Sequence, residues 1–153
     1  MRILVLVFLF AGLQFNAGAQ TAEDSIKATI TKMFDAMRQS DSAMLQSTFA
    51  DSAVLQAFSK SKDGKQTVVI TESVKEFGSS ISKAPKGALD ERIKFASVNI
   101  DGPLAAVWTP YSFYYNGKLS HCGVNSFQLV RISGEWKIQY ILDTRRRTGC
   151  AEM

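Results

Sequence analysis

One histidine, His121, is the whole imidazole content of this 153-residue sequence, so a proton shuttle near neutral pH would fall to it. A sheet histidine bonded to Ser112 or to nearby backbone is the plainer role for the same residue. Tyr111, Tyr114 and Tyr140 can donate to a ligand carbonyl, or serve as core aromatics with satisfied hydroxyls. The carboxylates that could act as a base are few. Asp35 lies beside Phe34 at a helical position that turns it to solvent, and Asp143 suits an ion pair with Arg145 or Arg146. No acid falls in a pocket on this reading, which counts against catalysis, and no catalytic residue is assigned. GxSxG, the P-loop, GxGxxG and HExxH are all absent, so no cofactor is implied. Cys122 and His121 are strand neighbours that point to opposite faces, which is the wrong geometry for a dyad. One His and two Cys without a CxxC spacing leave no metal site. The run Arg145, Arg146 and Arg147 reads as a solvated strand end rather than an anion site.

The elements that must hold these residues start from an ordinary globular composition, 46% hydrophobic and 21% charged. Eighteen Lys and Arg against fourteen Asp and Glu give a formal charge of +4, spread too thinly to imply a nucleic-acid partner. The first 19 residues read as an address. Met1 and Arg2 are a short basic start, Ile3 to Leu13 is almost wholly apolar, and Ala17-Gly18-Ala19 supplies an A-x-A cleavage site before Gln20. The apolar run falls well below the roughly 20 residues of a membrane span. The expectation is a signal peptide over 1–19 and a single secreted or periplasmic domain over 20–153, with no membrane contact after cleavage. Export would also let Cys122 and Cys150 form a disulfide. The alternative is a small strand residue at 122 and a free thiol in the tail.

Ile26, Ile30, Met33, Phe34 and Met37 repeat at helical spacing and predict a helix from Ala22 to Gln39, with Thr21 and Asp24 as its cap. A short helix after Asp41 carries Met44, Leu45 and Phe49 inward. Two strands, Ala53–Ala57 and Gln66–Ile70, flank a polar loop, and a third helix runs from Ser73 to Ser82 with Val74, Phe77 and Ile81 on one face. Four long strands follow: Glu91–Ile100, Ala105–Tyr115, Leu119–Ile132 and Glu135–Arg145. They are divided by Asp101-Gly102, Asn116-Gly117 and Ser133-Gly134, dipeptides suited to tight hairpins.

Counting back from two-residue loops at Asn116-Gly117 and Ser133-Gly134 puts Ser112 opposite His121, Trp108 opposite Asn125, and Phe127 opposite Tyr140. One face then holds Trp108, Ser112, His121, Asn125, Phe127, Leu129, Trp136, Ile138, Tyr140 and Leu142. Its Leu129, Trp136 and Ile138 end reads as core, and its Trp108 and His121 end as a mixed pocket lining. A bulge at Pro110 would change the parity and turn Tyr111 and Phe113 inward instead.

The element order resembles the nuclear transport factor 2-like superfamily, a cone-shaped α+β fold. The strings Trp108-Thr109-Pro110-Tyr111-Ser112-Phe113, His121-Cys122-Gly123-Val124-Asn125-Ser126-Phe127, Gly134-Glu135-Trp136-Lys137-Ile138 and Asp143-Thr144-Arg145-Arg146 look like its exported bacterial branch, whose members are often labelled lumazine-binding or simply of unknown function. The resemblance implies three N-terminal helices packed on a curved antiparallel sheet. It also implies a cavity, lined here by Trp108, Tyr111, Ser112, Phe113, His121, Asn125 and Tyr140. Binding of a small, partly aromatic molecule is the first reading. An isomerase- or dehydratase-like enzyme using His121 with a tyrosine is the second, and a structural module forming a homodimer through its open sheet face is the third. A buried acid in the cavity separates the second from the first.

Overall fold

The computed structural model describes residues 21–61 and 64–151; the expected signal peptide and its cleavage site lie outside the described residues. Helix α1 spans Ala22–Gln39, and Thr21 and Asp24 close its capping box as the sequence predicts. The five apolar residues of the helical stripe are all buried. Helix α2, Ser42–Ser47, is capped by Asp41 and buries Leu45. Phe49 is buried too, but it opens strand β1, Phe49–Lys60, instead of lying on α2. Strand β2, Thr67–Glu72, returns antiparallel to β1, and helix α3, Val74–Ser82, follows behind a second capping box, Ser73 with Glu76.

The expected strand Glu91–Ile100 is two strands, β3 (Leu89–Ile93) and β4 (Ser97–Asp101). Both pair with β5, Leu104–Tyr115, and the gap between them faces Pro110. Proline has no N–H to donate, so the ladder is interrupted there; Lys94 N–H bonds the Pro110 carbonyl and Ala96 N–H the Trp108 carbonyl across the break. Strands β6 (Lys118–Ile132) and β7 (Glu135–Thr144) complete a seven-stranded sheet of order β2-β1-β7-β6-β5-β3, with β4 beside β5. β1 runs parallel to β7, so the sheet is mixed rather than the antiparallel one expected, and β1 and β2 separate the third helix from the first two. The core lies between α1 and the inner face of the sheet, where Phe34 meets Phe127 edge-on at 6.1 Å.

Two one-residue bulges decide which side chains point into that space. Tyr115 pairs with Lys118 and Tyr114 with Leu119, but Phe113 pairs with His121, so Ser120 is extra. Leu129 pairs with Ile138 but Gln128 with Tyr140, which makes Gln139 extra; its side-chain amide donates to the Ser52 carbonyl at 3.1 Å. Each bulge moves every residue beyond it to the other face. Ser112 therefore pairs with Cys122, Trp108 with Ser126, Phe127 with Ile141, and Asn125 with both Thr109 and Asp143. Tyr111 and Phe113 turn inward, as the parity change anticipated at Pro110 would require, although the bulge sits at Ser120. Leu129, Trp136 and Ile138 keep their place in the core.

The chain end is tied back onto the sheet. Cys122 and Cys150 form a disulfide with their Cα atoms 5.6 Å apart, and Gly149 takes a left-handed φ of 65° to bring the tail round. Cys122 and Arg146 exchange two backbone hydrogen bonds at 2.9 Å. Ser112, on the outer face, is buried and donates to the Ala151 carbonyl at 2.7 Å. Among the described residues no helix is long and apolar enough to cross a membrane.

Candidate functional site

A cavity of about 330 Å³ opens between α1, α3 and the concave face of the sheet. Its wall is mainly apolar, with Met33, Phe34 and Met37 from α1, Phe77 and Ile81 from α3, and Phe127 from β6. The polar groups come from β1, β2, β3, β5, β6, β7, the residue after β7 and α3. Of the residues expected to line it, Tyr111, Phe113, His121 and Asn125 do. Trp108 does not: it is on the outer face and 49% exposed. Ser112 is under the C-terminal tail, and Tyr140 donates at 2.6 Å to Gln56 Oε1. The bulge at Ser120 displaces the first two, and the bulge at Gln139 displaces Tyr140.

The acids that the register reading kept out of the pocket are in it. Glu91 on β3 accepts a hydrogen bond from Asn125 Nδ2 at 2.8 Å. Burial against the apolar wall is the main reason its carboxyl is pushed up to about 7; the nearby Asp143 charge adds to this, while the Asn125 hydrogen bond and Arg145 oppose it. Asp143 pairs with Asn125 across β6 and β7. It does make the ion pair expected with Arg145, whose Nε donates at 2.9 Å and Nη2 at 3.5 Å. Tyr111 is buried and directs its hydroxyl toward the Thr144 carbonyl at 3.0 Å and Asp143 Oδ2 at 3.3 Å. Burial first, then the charges of Asp143 and Glu91, hold the Tyr111 phenol well above its ordinary range.

His121 stands edge-on to Tyr111, with ring centres 5.8 Å apart, and tilted against Phe113 at 4.9 Å. Its Nδ1 lies 3.1 Å from the hydroxyl of Ser120 rather than bonding Ser112. Burial lowers its pKa, with Arg145 and Arg147 adding to the effect and Asp143 opposing it, so the ring is neutral at pH 7. Glu72, at the end of β2, is pushed up by burial and by Glu76, and held down in part by Arg145. One further group faces this side of the sheet. Thr109, paired with Asn125, is fully buried and its hydroxyl has no hydrogen-bond partner.

The pocket therefore offers a carboxyl that changes charge near neutrality, an amide oriented by that carboxyl, a neutral imidazole and an apolar wall. A carboxyl in such a setting can give up or take a proton near neutral pH. Glu91 was missed although a signal existed: Leu89, Glu91, Ile93 and Phe95 alternate, which places one acid in an inward-facing apolar row. Asp143 and Arg145 carried no such signal, because their facing depends on Gln139 being skipped. Among the described residues no group of three or more His, Cys, Asp or Glu side chains could hold a metal ion.

No protein-family model matches the sequence, and no curated protein matches it as a relative. Solved structures do match in shape. An NTF2-like protein of unknown function from Shewanella baltica superposes with a TM-score of 0.65 at 13% identity, covering 82% of this chain and 94% of that one. An NTF-2 like protein of unknown function from Silicibacter pomeroyi gives 0.63 at 17% identity, covering 80% and 93%. A cystatin-like-fold domain of unknown function from Nostoc punctiforme gives 0.63 at 18%, covering 83% and 78%. The chain has the NTF2-like fold, and at these identities the likeness extends to fold alone.

Proposed function

We propose that this is an exported protein that binds a small, partly aromatic molecule in the cone cavity, and that Glu91 exchanges a proton with it. The observation that carries this reading is the pairing of Glu91 with Asn125 on the wall of a mostly apolar cavity large enough for a ring system. A carboxyl raised to about 7 serves as acid or base at physiological pH, which a solvent-exposed glutamate does poorly. Neutral His121 supplies a second proton-transfer group on the same wall. This favours the isomerase- or dehydratase-like version of the reading over passive binding. A lumazine-like heterocycle fits the same class, its flat ring against Phe113 and Phe77 and its ring amides toward Asn125.

An NMR titration with a panel of small aromatic compounds, lumazine included, tests the reading. Shifts centred on the Asn125 side-chain amide, Phe113 and His121 are expected, and a Glu91→Gln variant should alter their pH dependence. If every responding residue clusters on the Trp108 face, or none responds, the cavity reading fails. A second reading, self-association through the outer sheet face, draws on the half-exposed Trp108 and Leu104. Sedimentation of the wild type against Trp108→Ala decides it.

A further inference from the structure

Resting on the cavity reading above, we infer that the ligand is an organic cation: a protonated amine on an apolar or aromatic body, seated with its ammonium at Glu91. The geometry that points there is the balance of charge on the wall. Three carboxylates line the cavity, Glu72, Glu91 and Asp143, against one guanidinium, Arg145. Arg145 is already committed to Asp143 at 2.9 Å. Among the described residues neither Glu72 nor Glu91 stands in an ion pair, and no lysine lines the cavity. The site thus holds two acids with no cation of their own in a partly dehydrated space. A positive ligand would supply the missing charge, and an anion would meet repulsion from both.

The apolar wall favours the same sign. Phe34, Phe77, Phe113 and Phe127 present rings, and Met33 and Met37 present thioethers. Aromatic faces attract ammonium groups through the ring quadrupole, and thioether sulfur is polarisable. A wall of this kind rewards a cation with an apolar body over a strongly hydrated inorganic one.

Every element around Glu91 enters the pH behaviour. Asp143 comes from β7 and Arg145 from just past its end, Asn125 and His121 from β6, Tyr111 and Phe113 from β5, Glu72 from β2, and neutral Gln56 and Ser80 from β1 and α3. From α1, Arg38 is bonded to Asp90, the residue before Glu91, and the rest of that helix's contribution is apolar. An ammonium favours the ionised carboxyl, so binding lowers the Glu91 pKa and expels its proton. With that pKa about 7 in the free protein, about half a proton should leave per ligand bound at pH 7.

Three probes of matched shape test this on the oxidised, full-length mature chain: 2-phenylethylammonium, 2-phenylethanol and phenylacetate. Calorimetric titration in two buffers of different ionisation enthalpy reads affinity and proton release together. The ammonium should bind about tenfold or more tighter than the alcohol, release protons, and gain affinity from pH 5.5 to 8, while phenylacetate binds weakest. Glu91→Gln, with circular dichroism confirming its fold, should remove the ammonium's advantage over the alcohol. Should that variant not fold, the rise of the wild-type ammonium-to-alcohol ratio with pH carries the test. Alcohol binding as tight as the amine's overturns the ligand class and leaves the cavity reading standing. Tightest binding of phenylacetate overturns it in favour of Arg145 as the anchor. No binding by any of the three overturns the cavity reading and this inference with it.

Discussion

Asn125 Nδ2 donates to Glu91 Oε1 at 2.8 Å across two strands that are not neighbours, reaching from β6 past β5 to β3. The curvature of the sheet brings them together. A side chain on β6 can reach β3 only where the inner face is concave, and that concavity is the cavity itself.

The charge of Glu91 should be visible in stability. Its folded-state pKa, about 7, lies above the ordinary 4.5, so the stability it allows is fully present below pH 4.5 and is lost as pH rises through 7. Glu91→Gln should therefore be more stable than the wild type at pH 8, by on the order of 2 kcal/mol, and nearly equal to it at pH 4. Urea unfolding at the two pH values measures the difference. A variant less stable at pH 8 than the wild type contradicts it.

His121 acts in the opposite sense. Its pKa is lowered by burial and by Arg145 and Arg147, so it favours the folded state when neutral and stability falls as pH drops below the ordinary value of 6.5. Just below pH 6.5 the two slopes oppose each other, which flattens the wild-type profile there. His121→Gln should remove the opposing slope, so that stability falls more steeply with rising pH than in the wild type. Melting temperatures taken every half pH unit give the answer.

Trp108 and Trp136 should separate cleanly. Trp136 is in the core and Trp108 is half exposed, so Trp136→Ala should cost about 3–5 kcal/mol and Trp108→Ala about 1 kcal/mol or less. Chemical denaturation of both variants checks this, and comparable losses would return Trp108 to the core.

Gly123 has a role its neighbours dictate. A β-carbon there would collide with the Thr144 carbonyl and the Tyr111 ring. Gly123→Ala should therefore force β6 away from Thr144 at the end of β7, costing about 1–3 kcal/mol and disturbing the Tyr111 hydroxyl contacts. A variant with wild-type melting temperature rejects this.

The Cys122–Cys150 bridge closes a loop of 28 residues. Its reduction should lower stability by on the order of 3 kcal/mol. Because it anchors Arg146, beside the cavity residue Arg145, reduction should also shift the His121 pH titration. Proton NMR of the imidazole, with and without reductant, follows both effects.

The helices were legible because each signal was local. Thr21 with Asp24, and the stripe from Ile26 to Met37, settle α1 within its own segment. The hairpin turns were legible for the same reason, since Asn116 and Ser133 adopt positive φ of 50° where those dipeptides predicted turns. The wall of the site was half legible. Asn125 and His121 were placed there, but through a register that misses Ser120 and Gln139. Nothing in a serine or glutamine marks a bulge, whose location is set by sheet curvature and by partners such as Ser52, far away in sequence. The parallel pairing of β1 with β7 was invisible too, because strand patterns carry no label for a partner about ninety positions away.

That pairing bears on how the molecule is made. Phe49 finds its partner at Ile138, and β7 sits between β1 and β6, so the middle of the sheet can be joined only after the last strand has appeared. Until then α1, α2 and the β1–β2 hairpin have no concave surface to rest on. Native structure must arise late and with high contact order, giving a slow folder among domains of its size. A nascent chain of this topology stays threadable through a narrow pore along most of its length.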